Sequence, residues 1–287
     1  MVASKKSFSV KRTKKTTEKP TSLTPAVTAI PFKQKPLEIL FEDDDLVVVN
    51  KSPGMLVIPD RYNPALPNLK SLLKAKYGDI FVVHRIDRGT SGIVLFAKNA
   101  ETHALMNQQF EDRVVKKIYH AIVGGRIEQD EMQIDIPLMA HTKRKGLMQP
   151  SARGKESLTQ TKVLERFRIA SLVECTLVTG RQHQIRVHCA AIGHPLLVDE
   201  DYGENAAFKV SMVKRKFNVG KHQEEKPLIE RLTLHAYKLV FQHPKTAQEI
   251  AITADYPKDF RAVLQILEKY APFKTLSWDT IVPLHVR

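Results

Sequence analysis

His84-Arg85-Ile86-Asp87-Arg88-Gly89-Thr90-Ser91-Gly92 is a polar run caught between two apolar segments. Phe81-Val82-Val83 leads in, and Ile93-Val94-Leu95-Phe96-Ala97 leads out as five consecutive apolar residues, the pattern of a strand covered on both faces. Asp87, flanked by Arg85, Arg88 and the hydroxyls of Thr90 and Ser91, is thereby held on rigid supports and is a candidate reaction centre. The same residue types also build ordinary turns, in which Asp and Ser bond their own backbone. The run by itself leaves both readings open.

A second segment, Thr179-Gly180-Arg181-Gln182-His183-Gln184-Ile185-Arg186-Val187-His188, follows another strand. It runs into Ile185, Cys189 and Ile192, the i, i+4, i+7 spacing of one helix face, stopped by Gly193. Arg186 falls about 100° round that helix from the apolar stripe, which predicts a half-covered position with its guanidinium along a groove. Further strands are expected over residues 46–50, 81–84, 93–98, 118–124, 161–167, 171–178, 234–241 and 249–253, and helices over 101–113, capped by Asn99, and 259–270. No strand-helix-strand rhythm repeats, which argues against a doubly wound parallel sheet. The fold class is α+β with a mainly antiparallel sheet.

The 287 residues, 43% of them apolar, suffice for a substantial core, and the net charge is +14. Nine cations against Glu18 give residues 1–35 a charge of +8, so over half of the excess sits in a Ser-, Thr- and Pro-containing tail without apolar periodicity. That tail is expected to be disordered, with residues 36–287 as the folded domain. It suits a phosphate-attracting arm, with a solubilising extension and an organelle transit peptide as alternatives. No apolar run approaches the ~18 residues needed to cross a bilayer. Cys175 and Cys189 read as small core residues, which excludes a disulfide scaffold and a cysteine zinc cluster and points to the reducing cytoplasm. His183 and His188 are about 140° apart on a helix, the wrong spacing for a metal-ligand pair. Two basic stretches, 139–155 and 208–226, read as surface excursions whose sign suits RNA.

Five motifs in order carry a family resemblance. HRIDRGTSG resembles the HRLDxxTSG signature of the RluA-type RNA pseudouridine synthases, and TGRQHQIRVHCAAIGHPLLVDEDYG resembles that family's TGRxHQIRxHxxxxGHPxxxDxxYG motif. ILFEDDDLVVVNKSPGMLVIP, from Ile39 to Pro59, is similar to its opening strand and NKPxG turn. Lys117-Ile118-Tyr119-His120-Ala121 is similar to its KxYxA element and Arg231-Leu232-Thr233-Leu234-His235-Ala236 to its RLxLHA element. The likeness spans about residues 38–268. Departures are few: Ile86 replaces Leu, and Ser52 separates Lys51 from Pro53.

The resemblance implies the pseudouridine synthase fold, a long mixed sheet with the active-site cleft across its middle, and the isomerisation of uridine in ribosomal or transfer RNA. That reaction breaks the bond from C1′ to N1, turns the base, joins C1′ to C5 and removes the C5 proton. It calls for a carboxylate, a shielded pocket and a weak base, and for no cofactor and no metal. By motif position Asp87 is the catalytic aspartate; attack on C1′, attack on C6 and removal of a ribose proton all remain open to it. Arg186 matches the arginine that pairs with it, and Tyr119 the tyrosine that stacks on uracil. Arg85 is placed to fill the space of a flipped base or hold its phosphate, Thr90 to approach the sugar, and Arg181 and His183 to bind phosphate at a helix N-terminus. Ser91 with His84 as its base is the rival nucleophile, but it lacks the glycine-flanked elbow of hydrolases. A non-catalytic RNA-binding factor is the rival function, and nothing demands more than a monomer.

Overall fold

The computed structural model describes residues 37–218, 220 and 224–273. The basic tail, and Lys221 and His222 of the second basic stretch, lie outside these residues. Two strands, β1 (Glu38–Glu42) and β2 (Leu46–Lys51), form a hairpin whose turn is closed by the Asp43 carboxylate, which accepts from the amides of Asp45 and Leu46 at 2.8 and 2.7 Å. Helix α1 (Leu69–Tyr77) follows, started by the Asn68 side chain, which accepts from Ser71 N. Then come β3 (Phe81–Val82), β4 (Ser91–Ala97) and α2 (Ala100–Glu111), the last capped as expected by Asn99, which accepts from Thr102 N. The middle of the chain supplies β5 (Lys116–Gly124), β6 (Glu131–Asp135), the small hairpin β7 (Leu138–Ala140) and β8 (Met148–Pro150), β9 (Leu158–Arg166) and β10 (Ala170–Leu177). Helix α3 (Gln184–Ala191), β11 (Leu234–Gln242), β12 (Glu249–Thr253) and α4 (Lys258–Tyr270) complete the described fold.

Ten strands make one sheet in the order β1-β2-β4-β11-β5-β10-β9-β6, with β3 added on β4 and β12 on β11. Every pairing is antiparallel except β11 on β4, which is parallel through His235↔Ser91 and Ala236↔Gly92. The expected α+β class with a mixed, mainly antiparallel sheet is what the chain adopts. At the parallel junction β11 passes so close that a Cβ on Gly92 would lie 2.2 Å from Ala236 O, and the residue's φ of 110° is open only to glycine at little cost. The last glycine of the HRIDRGTSG run is therefore a packing requirement.

Four apolar clusters cover the sheet, two on each face. On the back, α2 packs Met106 over Leu46, Ile93 and Leu239, and α4 packs Phe260, Val263 and Leu267 over Ile122 and Leu172. On the front, α1 buries Leu69 and Leu73 against Val47, Val94 and Phe96, while α3 buries Ile185 and Cys189 against Ala121, Val173 and Cys175. Each such large aliphatic or aromatic side chain contributes about 1.5–3 kcal/mol of transfer free energy. Tyr119 touches both front clusters, so it marks the seam between them.

Several elements differ from expectation, β6 among them, which lies outside every expected strand. The strand expected over 81–84 stops at Val82, because His84 turns its ring back so that Nε2 accepts from Leu95 N, taking the place of a backbone partner at 3.1 Å. Helix α1 lies outside the expected elements, although Leu69, Leu72, Leu73 and Tyr77 fall at i, i+3, i+4 and i+8 on one face. The basic excursion 139–155 contains the β7–β8 hairpin, with residue 155 bridged to Leu138.

Candidate active site

The loop entering β4 is held from beneath by Lys51. That side chain is fully buried, and its Nζ donates to Met55 O, Arg88 O and Ser52 O at 2.9, 3.1 and 3.2 Å. Burial pushes the group down to about 7, but three carbonyl acceptors use all three N–H bonds of an ammonium and hold the proton in place. Gly54 N donates to Arg88 O at 2.8 Å, and Arg88 Nε returns a bond to Gly54 O at 3.0 Å. Ile86 is buried in the α1-side cluster, so its neighbours Arg85 and Asp87 face outward, Arg85 exposed and Asp87 half-buried.

Facing this loop is the N-terminus of α3. Gln184 anchors it: Oε1 accepts from Thr179 Oγ1 and Arg181 N, and Nε2 donates to Leu158 O and Thr159 Oγ1. His183 precedes the helix in the left-handed conformation, φ 54°. Arg186, one turn in, is only 4% exposed, more deeply covered than its helical angle predicts. The reason is the turn of residues 199–203, which folds over it. Asp199 takes its Nε and NH2 in a two-pronged bond, both 2.7 Å, Asp201 takes NH2 again at 2.7 Å, and the Tyr202 ring lies 4.8 Å from the guanidinium carbon. Asp87 Oδ2 is 3.5 Å from NH1, within ion-pair range but beyond a hydrogen bond. The guanidinium expected to pair with Asp87 is thus gripped chiefly by two other carboxylates, and they push its affinity for a proton up against the opposing effect of burial.

Between loop and helix lies a cleft of about 540 Å³ lined by Arg85, Asp87, Thr90, Tyr119, Arg181, His183, Ile185 and Arg186. All seven residues singled out in the sequence meet here. The Tyr119 phenol is pushed well above its ordinary value by burial and by the charge of Asp87, so it stays protonated. Thr90 is buried, and its hydroxyl has no partner among the described residues. Arg181 is fixed by a bond from Nε to Glu156 O at 3.0 Å, and His183 is set between Tyr202 and Asp87. A second lobe of about 570 Å³ opens on the far side of Asp87, lined by Gly54, Arg88, Glu200, Glu230 and Arg231.

The Ser91–His84 pairing does not form. Ser91 is fully buried and its Oγ meets His235 Nδ1 at 2.9 Å, while the His84 imidazole, pushed down to about 3 by burial, is occupied with Leu95 N. Four contributors escaped the sequence reading: Lys51, Asp199, Asp201 and Tyr202. All lie inside quoted motifs, and the signal for Asp199 and Asp201 is a pair of acids six and eight residues past Gly193 with Pro195 between, a turn able to return to the helix it follows. Among the described residues no group of three or more His, Cys, Asp or Glu side chains gathers as a metal-holding cluster.

Comparison with known proteins finds relatives over most of the chain. Residues 45–191 match the family model described as RNA pseudouridylate synthase. The dual-specificity RNA pseudouridine synthase RluA of Vibrio vulnificus is 38% identical over 215 residues, covering 73% of this chain and 79% of that one. The ribosomal large subunit pseudouridine synthase D of Nitrosomonas europaea is 34% identical over 239 residues, 81% of this chain and 65% of that one. Among solved structures, human RNA pseudouridylate synthase domain containing 1 superposes with a TM-score of 0.62 at 27% identity, covering 85% of this chain and 91% of its own. With the family model spanning the Asp87 loop, Tyr119 and α3, and relatives matching over most of the sheet, the chain belongs to the RNA pseudouridylate synthase family of isomerases.

Proposed function

We propose that this protein isomerises uridine to pseudouridine at specific sites in structured RNA, ribosomal or transfer, with Asp87 as the reactive carboxylate and without a cofactor. The observation that carries the reading is the half-buried Asp87 between two arginine-bearing walls of a cleft large enough for a nucleobase, with one oxygen 3.5 Å from a buried guanidinium. A carboxylate so placed is aimed by the guanidinium it faces, yet spends no hydrogen bond on it, so its lone pairs stay available to C1′, C6 or a ribose proton.

The other residues divide the work. Tyr119, protonated and wedged at the seam, presents its ring to the turning uracil and its hydroxyl to C5. Arg186 stabilises charge at Asp87. Arg85, exposed at the rim, fills the gap left by the extruded base or holds its phosphate. The unpartnered Thr90 hydroxyl offers a bond to the ribose. Arg181 binds a flanking phosphate, and the basic tail adds a sequence-independent attraction that acts on the same monomer in the cytoplasm.

The test incubates the protein with ribosomal and transfer RNA and maps the carbodiimide adducts that survive alkali. Asp87→Ala is expected to remove them, a loss of at least about a thousandfold, while RNA affinity stays within about threefold. Equal product from wild type and Asp87→Ala would end the enzyme reading.

A further inference from the structure

His183 was expected to meet a phosphate, but its surroundings describe another task. The imidazole Nδ1 lies 2.8 Å from the Tyr202 hydroxyl, and the Tyr202 oxygen already accepts from Met148 N at 2.8 Å. A phenol has one proton to give. With its oxygen receiving the amide, that proton is free to go to Nδ1, and the neutral ring then carries its own proton on Nε2. Nε2 faces Asp87 Oδ1 at 3.8 Å, the oxygen left uncovered by Arg186, whose NH1 addresses Oδ2. The opposite tautomer would set a bare ring nitrogen against a carboxylate and two donors against one phenol oxygen.

We propose that His183 is a positioning residue for Asp87, donating from Nε2 to Oδ1 as substrate closes the site, and that Tyr202 fixes the tautomer that lets it do so. The inference rests on Asp87 being the reactive carboxylate. Each carboxylate oxygen then has one dedicated donor, both standing off in the free enzyme, and a closure of under about 1 Å brings both within hydrogen-bond range. The turn of residues 199–203 holds both donors at once: Asp199 and Asp201 grip Arg186, and Tyr202 grips His183. Gly203 lets that turn pack, since a Cβ there would lie 2.8 Å from Asp199 O.

Burial lowers the proton affinity of His183, Asp87, Asp199 and Asp201 raise it, and Arg186 on its own helix lowers it. The neutral ring matters, because an imidazolium would neutralise Asp87 and blunt its attack.

The backbone makes the test discriminating. At φ 54° asparagine is the best tolerated replacement, but its side chain reaches only the Nδ1 position. Glutamine fits that backbone less well, yet its amide nitrogen reaches the Nε2 position. Turnover of a uridine-containing stem-loop RNA is therefore expected to stay within about tenfold of wild type in His183→Gln and to fall about a hundredfold in His183→Asn, with KM moved less than about threefold in both. Tyr202→Phe should lower kcat about tenfold and move the acid limb of its pH profile upward, because Nδ1 loses the donor that keeps it bare. In the wild-type protein, nitrogen NMR of the histidine rings should find His183 protonated on Nε2 and bare on Nδ1.

His183→Asn as active as His183→Gln or more so, an Nδ1-protonated ring, or a wild-type pH profile in Tyr202→Phe would each overturn the assignment. A wild-type protein that turns over no RNA uridine sinks the proposed function instead, and the NMR reading still reports on the ring.

Discussion

Arg186 shows how much a single side chain depends on neighbours that its sequence position does not announce. Its guanidinium is buried among Asp199, Asp201 and Asp87, and removing one partner of such a group leaves charge uncompensated. Asp199 is fully buried and bonds twice, whereas Asp201 is 40% exposed and screened by water. Asp199→Asn should therefore cost about 3 kcal/mol in urea unfolding and most of the turnover, and Asp201→Asn less than about 1 kcal/mol. Lys51 makes the same point from below the loop. Lys51→Met takes a donor from three carbonyls, of which Arg88 O keeps Gly54 N, and a loss of about 2–4 kcal/mol together with reduced kcat is expected from denaturant titration and kinetics. The sequence placed Asp87, Tyr119 and Arg186 in the site because their motifs stand in fixed order. It missed the grip of Asp199 because a bond between side chains thirteen residues apart has no periodic trace.

Strands β5 and β11 form the element on which the cleft is built, and their back face carries a buried titratable pair. His120 and His235 lie opposite one another in the register. His120 stacks on Tyr237 with centroids 3.9 Å apart, bonds the Tyr256 hydroxyl and approaches Glu174 at 3.6 Å; His235 meets Ser91 and Ala254 O. Burial pushes both imidazoles down to about 4, with Arg231 adding to the effect on His235. A folded value below the unfolded one of about 6.5 means that stability is complete above pH 6.5 and is lost as pH falls toward 4, because the unfolded chain binds the extra protons. Each proton contributes a slope of up to roughly 1.4 kcal/mol per pH unit. Urea midpoints at pH 7 and pH 5 should show the drop, and His235→Gln should flatten it; midpoints independent of pH across this range would contradict the burial argument. Gly92→Ala tests the neighbouring junction, where the methyl would enter Ala236 O, and a loss above about 3 kcal/mol in thermal unfolding is expected.

At the scale of the molecule, the cleft exists because the front of the sheet carries two apolar clusters instead of one, with Tyr119 at the seam. One wall is the Asp87 loop and the other is α3, tied to the basic hairpin through Gln182 Nε2 to Gly146 O and Tyr202 to Met148 N. Arg153 and Lys155, both exposed, line a groove that shares Gly180, Arg181 and Gln182 with the cleft, and under the proposed function flanking RNA would follow it. Arg153→Gln with Lys155→Gln should raise KM, leave kcat near wild type and lower the slope of log affinity against log salt by about 2. An unchanged slope would remove that groove from the RNA path. Local pattern sufficed for the long strands, for the caps at Asn99 and the stop at Gly193, and for the presence of Asp87 in a supported turn, because apolar period and capping chemistry are set by near neighbours. Motif order then supplied the fold and the residues of the candidate site. Only the folded chain decided which carboxylates hold Arg186, which face of His183 meets Asp87, and that Ser91 belongs to His235, because those contacts join side chains whose distances are fixed by the packing of whole elements.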